Sequence, residues 1–372
     1  MIFSNILYNL ARFKLSSVAR WSQNGITVAG SANGLDGSSL DRLSGSTSAY
    51  YGDDGILYIS DAGNDRIVLI APNSTTPIAV IGRRSDYIIF AYPAAIFVTQ
   101  ASIYVMDTGN FRVQKWSKDF YDPMTVAGIS GVGGNSTEMA LLSAAFSLFV
   151  DNYGNVFVSD TDNHRVMKFP SNSISGTNGM IVAGIGVRGS NNNQLNYPMG
   201  IFVTNNGILY IADRKNHRIQ KWIVGQTSGE IVGGTGTAGS SLSQLNSPFS
   251  VVVDSDGYMY ITDQGNSRIV RWGPHASAGE CIVACSGTSG ISSNQLKHPT
   301  TITFDSIGSM YVNDLSNNRV QKFEILTETS IIFTHEVSSV KVVYILGQST
   351  TLSQSTTSKI EDYYFLYGHC LF

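Results

Sequence analysis

The chain has 372 residues and a formal net charge of −3, a balance that excludes a strong global attraction to nucleic acid or anionic membranes. Charged residues make up only 14% of the sequence, against about 25% in ordinary globular proteins. Polar character comes instead from Ser, Thr, Asn and Gly, a composition typical of strands joined by tight loops. No apolar run approaches the ~20 residues of a membrane-spanning helix, so we expect no membrane span.

One pattern recurs six times along the chain. An aromatic residue is followed by Asp three positions later, by Asn after three more, and by Arg after a further two. Successive Asp residues are 46, 53, 53, 50 and 51 positions apart, a period that indicates one supersecondary unit stacked many times. The repeated residues are Asp61, Asp107, Asp160, Asp213, Asp263 and Asp314, then Asn64, Asn110, Asn163, Asn216, Asn266 and Asn317, then Arg66, Arg112, Arg165, Arg218, Arg268 and Arg319. Because all copies share them, we interpret them as scaffold at the turns.

The fourth copy indicates what each unit contains. A short apolar run at 197–203 is followed by the turn signal Asn205-Asn206-Gly207 and by a second strand at 208–212. A third strand follows at 217–224, and a short fourth strand at 229–233. Four antiparallel strands joined by hairpins form one blade of a β-propeller. The sequence therefore predicts an all-β, six-bladed β-propeller of four-stranded antiparallel blades.

Closure of the ring decides the blade count. Five copies carry a short fourth strand, at Ile78–Ile81, Thr125–Ala127, Ile181–Ala183, Ile231–Val232 and Ile282–Ala284. The sixth copy lacks a clear one, whereas the N-terminal stretch Ile26–Ala29 matches the pattern, so we predict that it closes the sixth blade beside Arg319–Phe323. The alternative is Ser330–Phe333. We expect an N-terminal segment of uncertain order at 1–20, a propeller at 21–326, and a tail outside the repeat pattern at 327–372.

Two kinds of motif carry a family resemblance. Asp160–Val166 and Asp213–Ile219 read Asp-x-x-Asn-His-Arg-(Ile/Val), and Leu195–Pro198 and Leu245–Pro248 read Leu-Asn-x-Pro. Together they resemble the NHL repeat, over roughly residues 21–326. Families with this repeat include substrate-recognition modules of ubiquitin ligases, single-stranded RNA binders, extracellular sensors and a zinc-dependent lyase that acts on peptide C-termini. The resemblance therefore implies the fold and leaves these functions open.

A basic cluster is predicted on one face of the propeller. In propellers, the turn between the second and third strands lies on the same face as the loop between blades. This places His164, Arg188, Arg214, Lys215 and His217 near the junction of blades three and four. Such a cluster can hold an acidic peptide or a phosphate backbone, and the alternative is a solvated edge beside acidic residues. The further candidates for this binding face are Tyr92, Phe111, Tyr197, Lys297 and His298.

The inner-strand starts offer no His or carboxylate that could bind a metal ion. They read Ala94, Ala95, Ala144, Ala145, Met199, Gly200, Phe249, Ser250, Thr300 and Thr301. The two Gly-rich stretches at 184–189 and 234–239 precede further strands, whereas a dinucleotide site needs a following helix, so we expect no cofactor. Cys281 and Cys285 fall in one probable strand, about 13 Å apart, which predicts that they form no disulfide.

These observations favour a non-enzymatic scaffold that binds a protein or peptide through its variable loop face. The roles that the resemblance implies for such a scaffold are substrate recognition in a ubiquitin-ligase-like system and extracellular sensing. One alternative is single-stranded RNA binding through the basic cluster, and another is a zinc-dependent lyase or hydrolase of the peptide-amidating type. We expect a monomer without a metal ion. The compartment stays open, as does the use of two glycosylation sequons at Asn73 and Asn135.

Overall fold

A computed structural model describes residues 14–84, 87–119, 123–326, 333–337 and 340–344. Six four-stranded antiparallel sheets, the blades, follow one another along residues 26–323. The described chain divides between Ile325 and Leu326 into two units, of which the first contains all six blades. The start of the predicted N-terminal segment, at 1–13, lies outside the described residues, as do Ser330–Ile332 of the alternative closing strand and 345–372 of the tail.

Each blade contains its four strands in sequence order, except that the fourth strand of blade six comes from the N-terminus. Blade one consists of Ser48–Tyr51, Leu57–Asp61, Arg66–Ile70 and Pro77–Ile81; blade two of Pro93–Val98, Ser102–Asp107, Arg112–Ser117 and Met124–Gly128; blade three of Ser147–Val150, Val156–Asp160, Arg165–Phe169 and Met180–Ala183. Blade four consists of Pro198–Val203, Ile208–Asp213, Arg218–Ile223 and Glu230–Gly233; blade five of Ser250–Val253, Met259–Asp263, Arg268–Trp272 and Glu280–Val283; blade six of Pro299–Phe304, Met310–Asp314, Arg319–Phe323 and Ile26–Gly30.

Shorter elements occur outside the blades. The short 3-10 turns Ala62–Asn64, Thr108–Asn110, Thr161–Asn163, Arg214–Asn216, Gln264–Asn266 and Leu315–Asn317 join the second and third strands. Two-residue strands lie at Arg20–Trp21, Arg83–Arg84, Tyr87–Ile88 and Ile325–Leu326. In the second unit, Phe333–Val337 pairs with Val340–Tyr344 as a hairpin. Within the described residues, no helix has the length and apolar composition needed to cross a bilayer.

The first strands of the blades stand side by side in a closed ring, with blade six next to blade one. At this last junction, the backbone N–H of Ala49 donates to Thr301 Oγ1 at 2.9 Å, and that of Tyr51 donates to Thr303 Oγ1 at 3.1 Å. Ile26–Gly30 pairs antiparallel with Arg319–Phe323 and completes blade six. The predicted six-bladed fold and its closure by the N-terminal strand are therefore confirmed.

The hydrophobic core lies between neighbouring blades. Inner strands such as Pro93–Val98 are buried at every position, because blades cover them on both faces. Outer strands such as Met180–Ala183 expose part of their residues to solvent. The third strands carry aromatic residues that are all buried, namely Trp116, Phe169, Trp222, Trp272 and Phe323. These aromatic side chains therefore belong to the packing between blades.

An N-terminal clasp, which we define as residues 14–24, crosses blades five and six before the closing strand begins. Trp21 is 1% exposed, its Nε1–H donates to the carbonyl oxygen of Gly308 at 2.9 Å, and its ring packs against Tyr260. Arg271 Nη1 donates to the carbonyl oxygen of Ala19 at 3.1 Å. The clasp thus attaches the closing strand to two blades that lie far away in sequence.

The prediction that Cys281 and Cys285 form no disulfide is wrong. The two cysteines are bonded, and their Cα atoms are 5.7 Å apart. The strand ends at Val283, and Ala284 has a φ of +57°, so the chain turns back before Cys285. The sequence estimate assumed one extended strand through both cysteines. That assumption is wrong, because the left-handed conformation of Ala284 ends the extended strand between them.

Candidate functional site on the loop face

The Asp, Asn and Arg of each repeat fix the loop that enters the same blade. Each Asp is buried, and its Oδ2 accepts from the Arg Nε at 2.6–2.8 Å. The same oxygen accepts from the Asn Nδ2 at 2.8–2.9 Å. Its Oδ1 accepts a backbone N–H from a residue 16 or 17 positions upstream, in the entry loop, at 2.6–2.8 Å. These bonds make the entry loops rigid parts of the scaffold.

The entry loops and the 3-10 turns together form what we call the loop face. Arg165 illustrates how firmly the loops are held, because its Nη atoms donate to the carbonyl oxygens of Ser136, Glu138 and Leu141. The hairpins between first and second strands lie at the other end of each blade and form the opposite face. A ligand on the loop face would therefore meet preformed loops.

The residue after each repeat Asn adopts a left-handed conformation, with φ between 47° and 56°. These six residues are Asp65, Phe111, His164, His217, Ser267 and Asn318. None is β-branched, which is the residue class that this conformation penalises most. The left-handed turn directs the following Arg into the third strand and leaves the side chain of the left-handed residue near the next blade.

Four of these side chains form what we call inter-blade latches. His164 Nδ1 accepts the backbone N–H of Tyr197 at 3.2 Å, and His217 Nδ1 accepts that of Ser247 at 3.0 Å. In the same way, Asp65 Oδ1 accepts the N–H of Tyr92 at 2.8 Å, and Asn318 Oδ1 accepts that of Gly45 at 3.0 Å. Each latch ties a turn of one blade to the entry loop of the next blade.

The structure divides the predicted basic cluster between two junctions. His164 lies between blades three and four, where its ring meets the Tyr197 ring edge-on at 4.9 Å. Burial lowers the pKa of His164, Asp162 opposes this effect and Arg188 adds to it, so Arg188 belongs to the same junction. His217 and Arg214 instead point toward blade five, where Arg214 Nη2 donates to Gln264 Oε1 at 3.0 Å. Lys215 lies beside His217 and is exposed.

The other predicted binding residues are spread around the ring. The Tyr92 ring contacts Phe146 between the entry loops of blades two and three, with a centroid separation of 6.4 Å. Phe111 lies against Gly133 in the entry loop of blade three. His298 Nδ1 lies 2.9 Å from Ser316 Oγ in blade six, and the neighbouring Lys297 side chain is exposed. The ten candidates therefore share a face without forming one cluster.

A protonation experiment tests the histidine latches. Burial is the main cause that lowers the pKa of both His164 and His217. The unfolded chain then binds protons more readily than the folded chain, so stability is fully present above pH ~6.5 and is lost as the pH falls through the folded pKa values. We expect the melting temperature of the wild type to fall between pH 7.5 and pH 5.5 partly for this reason.

The chain supplies the control, because Asn318 already forms the same latch. In a His164→Asn/His217→Asn variant, asparagine keeps an acceptor and removes the titration. The variant should lose less of its melting temperature than the wild type over the same pH interval. Equal losses would show that the two histidines do not contribute to the acid sensitivity.

The first residue of each 3-10 turn lies above the start of an inner strand, around the mouth of the central channel. Thr161 Oγ1 donates to the carbonyl oxygen of Pro198 at 2.8 Å, where the inner strand of blade four begins. The six residues of this ring are Ala62, Thr108, Thr161, Arg214, Gln264 and Leu315. Arg214 is the one charged member of the ring, and the described residues provide no carboxylate within ion-pair distance of it.

Arg214 is also incompletely satisfied. Its Nε atom is buried and has no hydrogen-bond partner among the described residues. Burial lowers the pKa of its guanidinium, which indicates partial removal from water. A desolvated cation without a counter-ion is unfavourable, and an anionic group of a ligand would compensate for it. Sequence reasoning had placed Arg214 on the correct face but not at the channel mouth.

The central channel is narrow and mainly apolar. It encloses a cavity of about 80 Å³ lined by the inner strands. Tyr50, Phe97, Phe149 and Phe202 form an aromatic row around it, with successive ring centroids 4.9–5.3 Å apart. Within the described ranges, no group of three or more His, Cys, Asp or Glu side chains has a metal-binding arrangement.

Each of the six entry loops carries at least one exposed apolar side chain. Eight large hydrophobic residues of the loop face are at least 42% exposed, namely Leu35, Leu40, Tyr92, Val132, Ile185, Val187, Leu242 and Ile291. Ile291 lies beside Gly34, so the loops that enter blades six and one present their apolar residues next to each other. Sequence analysis missed this feature. Aliphatic residues inside otherwise polar Gly-rich loops were the available signal.

Comparisons with known proteins agree with this geometry. A model of the NHL repeat matches residues 195–222, which cover the end of the entry loop of blade four and its first three strands. No curated protein matches the sequence.

Solved structures share the fold at low sequence identity. A protein of unknown function from Bacteroides thetaiotaomicron VPI-5482 superposes with a TM-score of 0.62 at 15% identity, over 82% of this chain and 76% of that one. An auxiliary nutrient binding protein from the same organism gives 0.60 at 13% identity, over 85% and 79%. A streptogramin B lyase gives 0.50 at 14% identity, over 77% and 95%. At such identities the likeness shows the propeller architecture alone.

Proposed function

Because this chain is an NHL-repeat β-propeller, we propose that it is a non-enzymatic scaffold that binds a protein or peptide on its loop face. One observation carries the proposal. Eight exposed apolar side chains lie on loops that the Asp–Asn–Arg bonds hold in place. Exposed apolar residues concentrated on one surface are typical of protein interaction sites. Rigid loops reduce the conformational entropy that such binding costs.

Arg214 supports a partner that carries an acidic group. It offers guanidinium donors at the centre of the face, near the channel mouth, and it lacks a carboxylate among the described residues. A glutamate, an aspartate or a C-terminal carboxylate would form a charge-assisted hydrogen bond there. Apolar residues of the partner would meet the entry loops around it.

The charge of the face favours a peptide over single-stranded RNA. Arg188, Lys215 and Lys297 are exposed on the loop face, but so are Asp162 and Glu138. A phosphate backbone would meet both signs, which weakens the electrostatic attraction on which RNA binding depends. A mixed surface with apolar loops suits an acidic peptide better.

The channel supports binding rather than catalysis. General acid–base catalysis uses His, Asp, Glu, Lys, Cys or Tyr within hydrogen-bond reach of the substrate. The side chains around the central cavity are aliphatic, aromatic or hydroxylic, and burial raises the pKa of Tyr50, so this phenol stays protonated.

The disulfide supports an extracellular setting over a ubiquitin-ligase-like one. Disulfides persist in oxidising compartments and are rare in the cytosol. Mass spectrometry of the alkylated, unreduced protein from its native source checks this point. A peptide bridged through Cys281 and Cys285 is expected, whereas two alkylated cysteines would favour the intracellular alternative.

A displayed library of random peptides tests the binding function. Peptides selected on the wild-type propeller should contain acidic and apolar residues. They should lose at least about tenfold in affinity for a Val187→Asp/Leu242→Asp variant, because like charges and lost apolar contacts oppose binding. Arg214→Gln should weaken the acidic peptides by a similar factor.

The matched control is Ile307→Asp. Ile307 is 70% exposed in a hairpin of the opposite face, so this variant should bind the selected peptides as the wild type does. Failure to enrich any peptide would contradict the proposal, and so would equal binding by the wild type and the loop-face variant.

A further inference from the structure

A second cavity lies on the opposite face, between blades three and four. Its volume is about 170 Å³, and it opens between the hairpins of these two blades. Phe149, Phe157 and Val203 form an apolar floor, while Asn152, Lys168 and Asn205 contribute polar groups. This mixture of an apolar body and a few polar groups is typical of small-molecule sites.

The cavity occurs where the repeat departs from its own pattern. Five copies have Tyr at the position that Phe157 occupies, namely Tyr58, Tyr104, Tyr210, Tyr260 and Tyr311. In blades one, five and six, the Tyr hydroxyl reaches the Asp of the first hairpin, as in Tyr58 Oη to Asp54 Oδ2 at 2.8 Å. Blade three lacks the hydroxyl, and its hairpin Asp151 lines the cavity instead.

Asp151 is already satisfied by its own hairpin. Its Oδ1 accepts the backbone N–H groups of Tyr153 and Asn155 at 3.0 and 2.8 Å, and its Oδ2 accepts from Asn155 Nδ2 at 2.8 Å. Asn152 Nδ2 donates to Asn205 Oδ1 at 2.8 Å and joins the two hairpins. These bonds fix the rim before a ligand arrives.

Lys168 is the cation of this cavity. Its Nζ lies over the Phe157 ring, 5.3 Å from the centroid. At the same position in the three following blades, the cation pairs with a carboxylate, in Lys221–Glu230, Arg271–Glu280 and Lys322–Asp305. Among the described residues, no carboxylate forms such a pair with Lys168.

We propose that this cavity binds a small organic carboxylate with an apolar body. Lys168 would pair with the carboxylate, and Phe149, Phe157 and Val203 would contact the apolar part. A cavity of about 150 Å³ holds a benzene molecule, so the ligand has roughly six to ten non-hydrogen atoms. The site is independent of the loop face, because it lies at the other end of the blades.

Three probes of one shape test the assignment by titration calorimetry on the full chain. Benzoate carries the carboxylate, benzamide is neutral and benzylamine is cationic. We expect benzoate to bind tightest, with a dissociation constant of about 1 mM or lower. A lack of saturation by benzoate up to about 10 mM would overturn the proposal, and so would tighter binding of benzylamine.

Two variants locate the site. Lys168→Met keeps an unbranched side chain over Phe157 and removes the charge. It should therefore weaken the binding of benzoate by about tenfold and leave the binding of benzamide unchanged. Phe157→Tyr restores the hydroxyl that five blades tolerate, fills the cavity toward Asp151, and should abolish binding of both probes. The control Tyr210→Phe changes a blade-four tyrosine outside the cavity lining and should bind benzoate as the wild type does. Unchanged benzoate binding by Phe157→Tyr would exclude this cavity as the site.

Discussion

Replacing Asp160 by alanine is expected to lower the free energy of unfolding by about 3–5 kcal/mol. The side chains of Asp160 and Arg165 are both 0% exposed, and their atoms approach to 2.8 Å. Without the carboxylate, the buried guanidinium of Arg165 loses its charge partner. Water cannot reach the guanidinium to replace that partner. Ser143 N–H and Asn163 Nδ2 lose their acceptor in the same step. Urea unfolding, followed by tryptophan fluorescence, measures the change.

Two matched substitutions define the scale of this effect. Asp107→Ala removes the same carboxylate in blade two, where Arg112 is 15% exposed and can be partly rehydrated, so the loss should be smaller. Glu230→Ala breaks a pair in which the Glu side chain is 73% exposed and 4.0 Å from Lys221 Nζ, so the change should stay below about 1 kcal/mol. An Asp160→Ala variant as stable as Glu230→Ala would contradict the scaffold role of the repeat.

The repeat pattern was sufficient to predict the fold, because each blade contains the same Asp, Asn and Arg residues at the same spacing. Asp and Arg recur in register at the facing ends of the second and third strands, as in the pairs Asp160–Arg165 and Asp213–Arg218. The closing strand at Ile26–Gly30 was predictable for the same reason, since its sequence matches the other fourth strands. Local signals repeated six times outweigh the errors of a single reading.

The contacts between blades were much less predictable. His164 and His217 belong to the repeat, and their partners Tyr197 and Ser247, 33 and 30 residues downstream, occupy the x position of the Leu-Asn-x-Pro motif. The motif marks that position in the sequence, but it does not reveal that a side chain from the turn of the preceding blade accepts its backbone N–H. The prediction that Cys281 and Cys285 form no disulfide failed for a related reason. One left-handed residue, Ala284, shortens the distance between the two cysteines.

The cavity beside Phe157 depends on a single missing hydroxyl group. Hydrophobic periodicity treats Phe and Tyr as equivalent at a buried strand position. The difference matters only because Tyr58, Tyr260 and Tyr311 direct their hydroxyls to a hairpin Asp, which the sequence does not reveal. Departures from a repeat are therefore informative once the contacts of the regular copies are known.

Replacing Trp21 by alanine is the second change for which we expect a large effect, about 3–5 kcal/mol of lost stability. The Trp21 ring packs against Tyr260 in blade five and Phe304 in blade six, with centroid separations of 6.0 and 6.2 Å. Its removal leaves a cavity under the clasp and releases the segment that precedes the closing strand. Ile26–Gly30 is the outer edge strand of blade six. In the Trp21→Ala variant, its backbone amides should therefore exchange with solvent faster than the backbone amides of blade three.

Trp21→Phe separates packing from hydrogen bonding in the clasp. Phenylalanine retains most of the apolar bulk but cannot donate to the carbonyl oxygen of Gly308, so the loss should be about 1–2 kcal/mol. Hydrogen exchange then distinguishes local release of the closing strand from cooperative opening of the whole ring. If Trp21→Ala accelerates exchange at Ile26–Gly30 alone, the clasp holds the closing strand and the other blades stay closed without it. Equal acceleration in all six blades would mean that the ring opens as one cooperative unit, and unchanged exchange would contradict the role of the clasp.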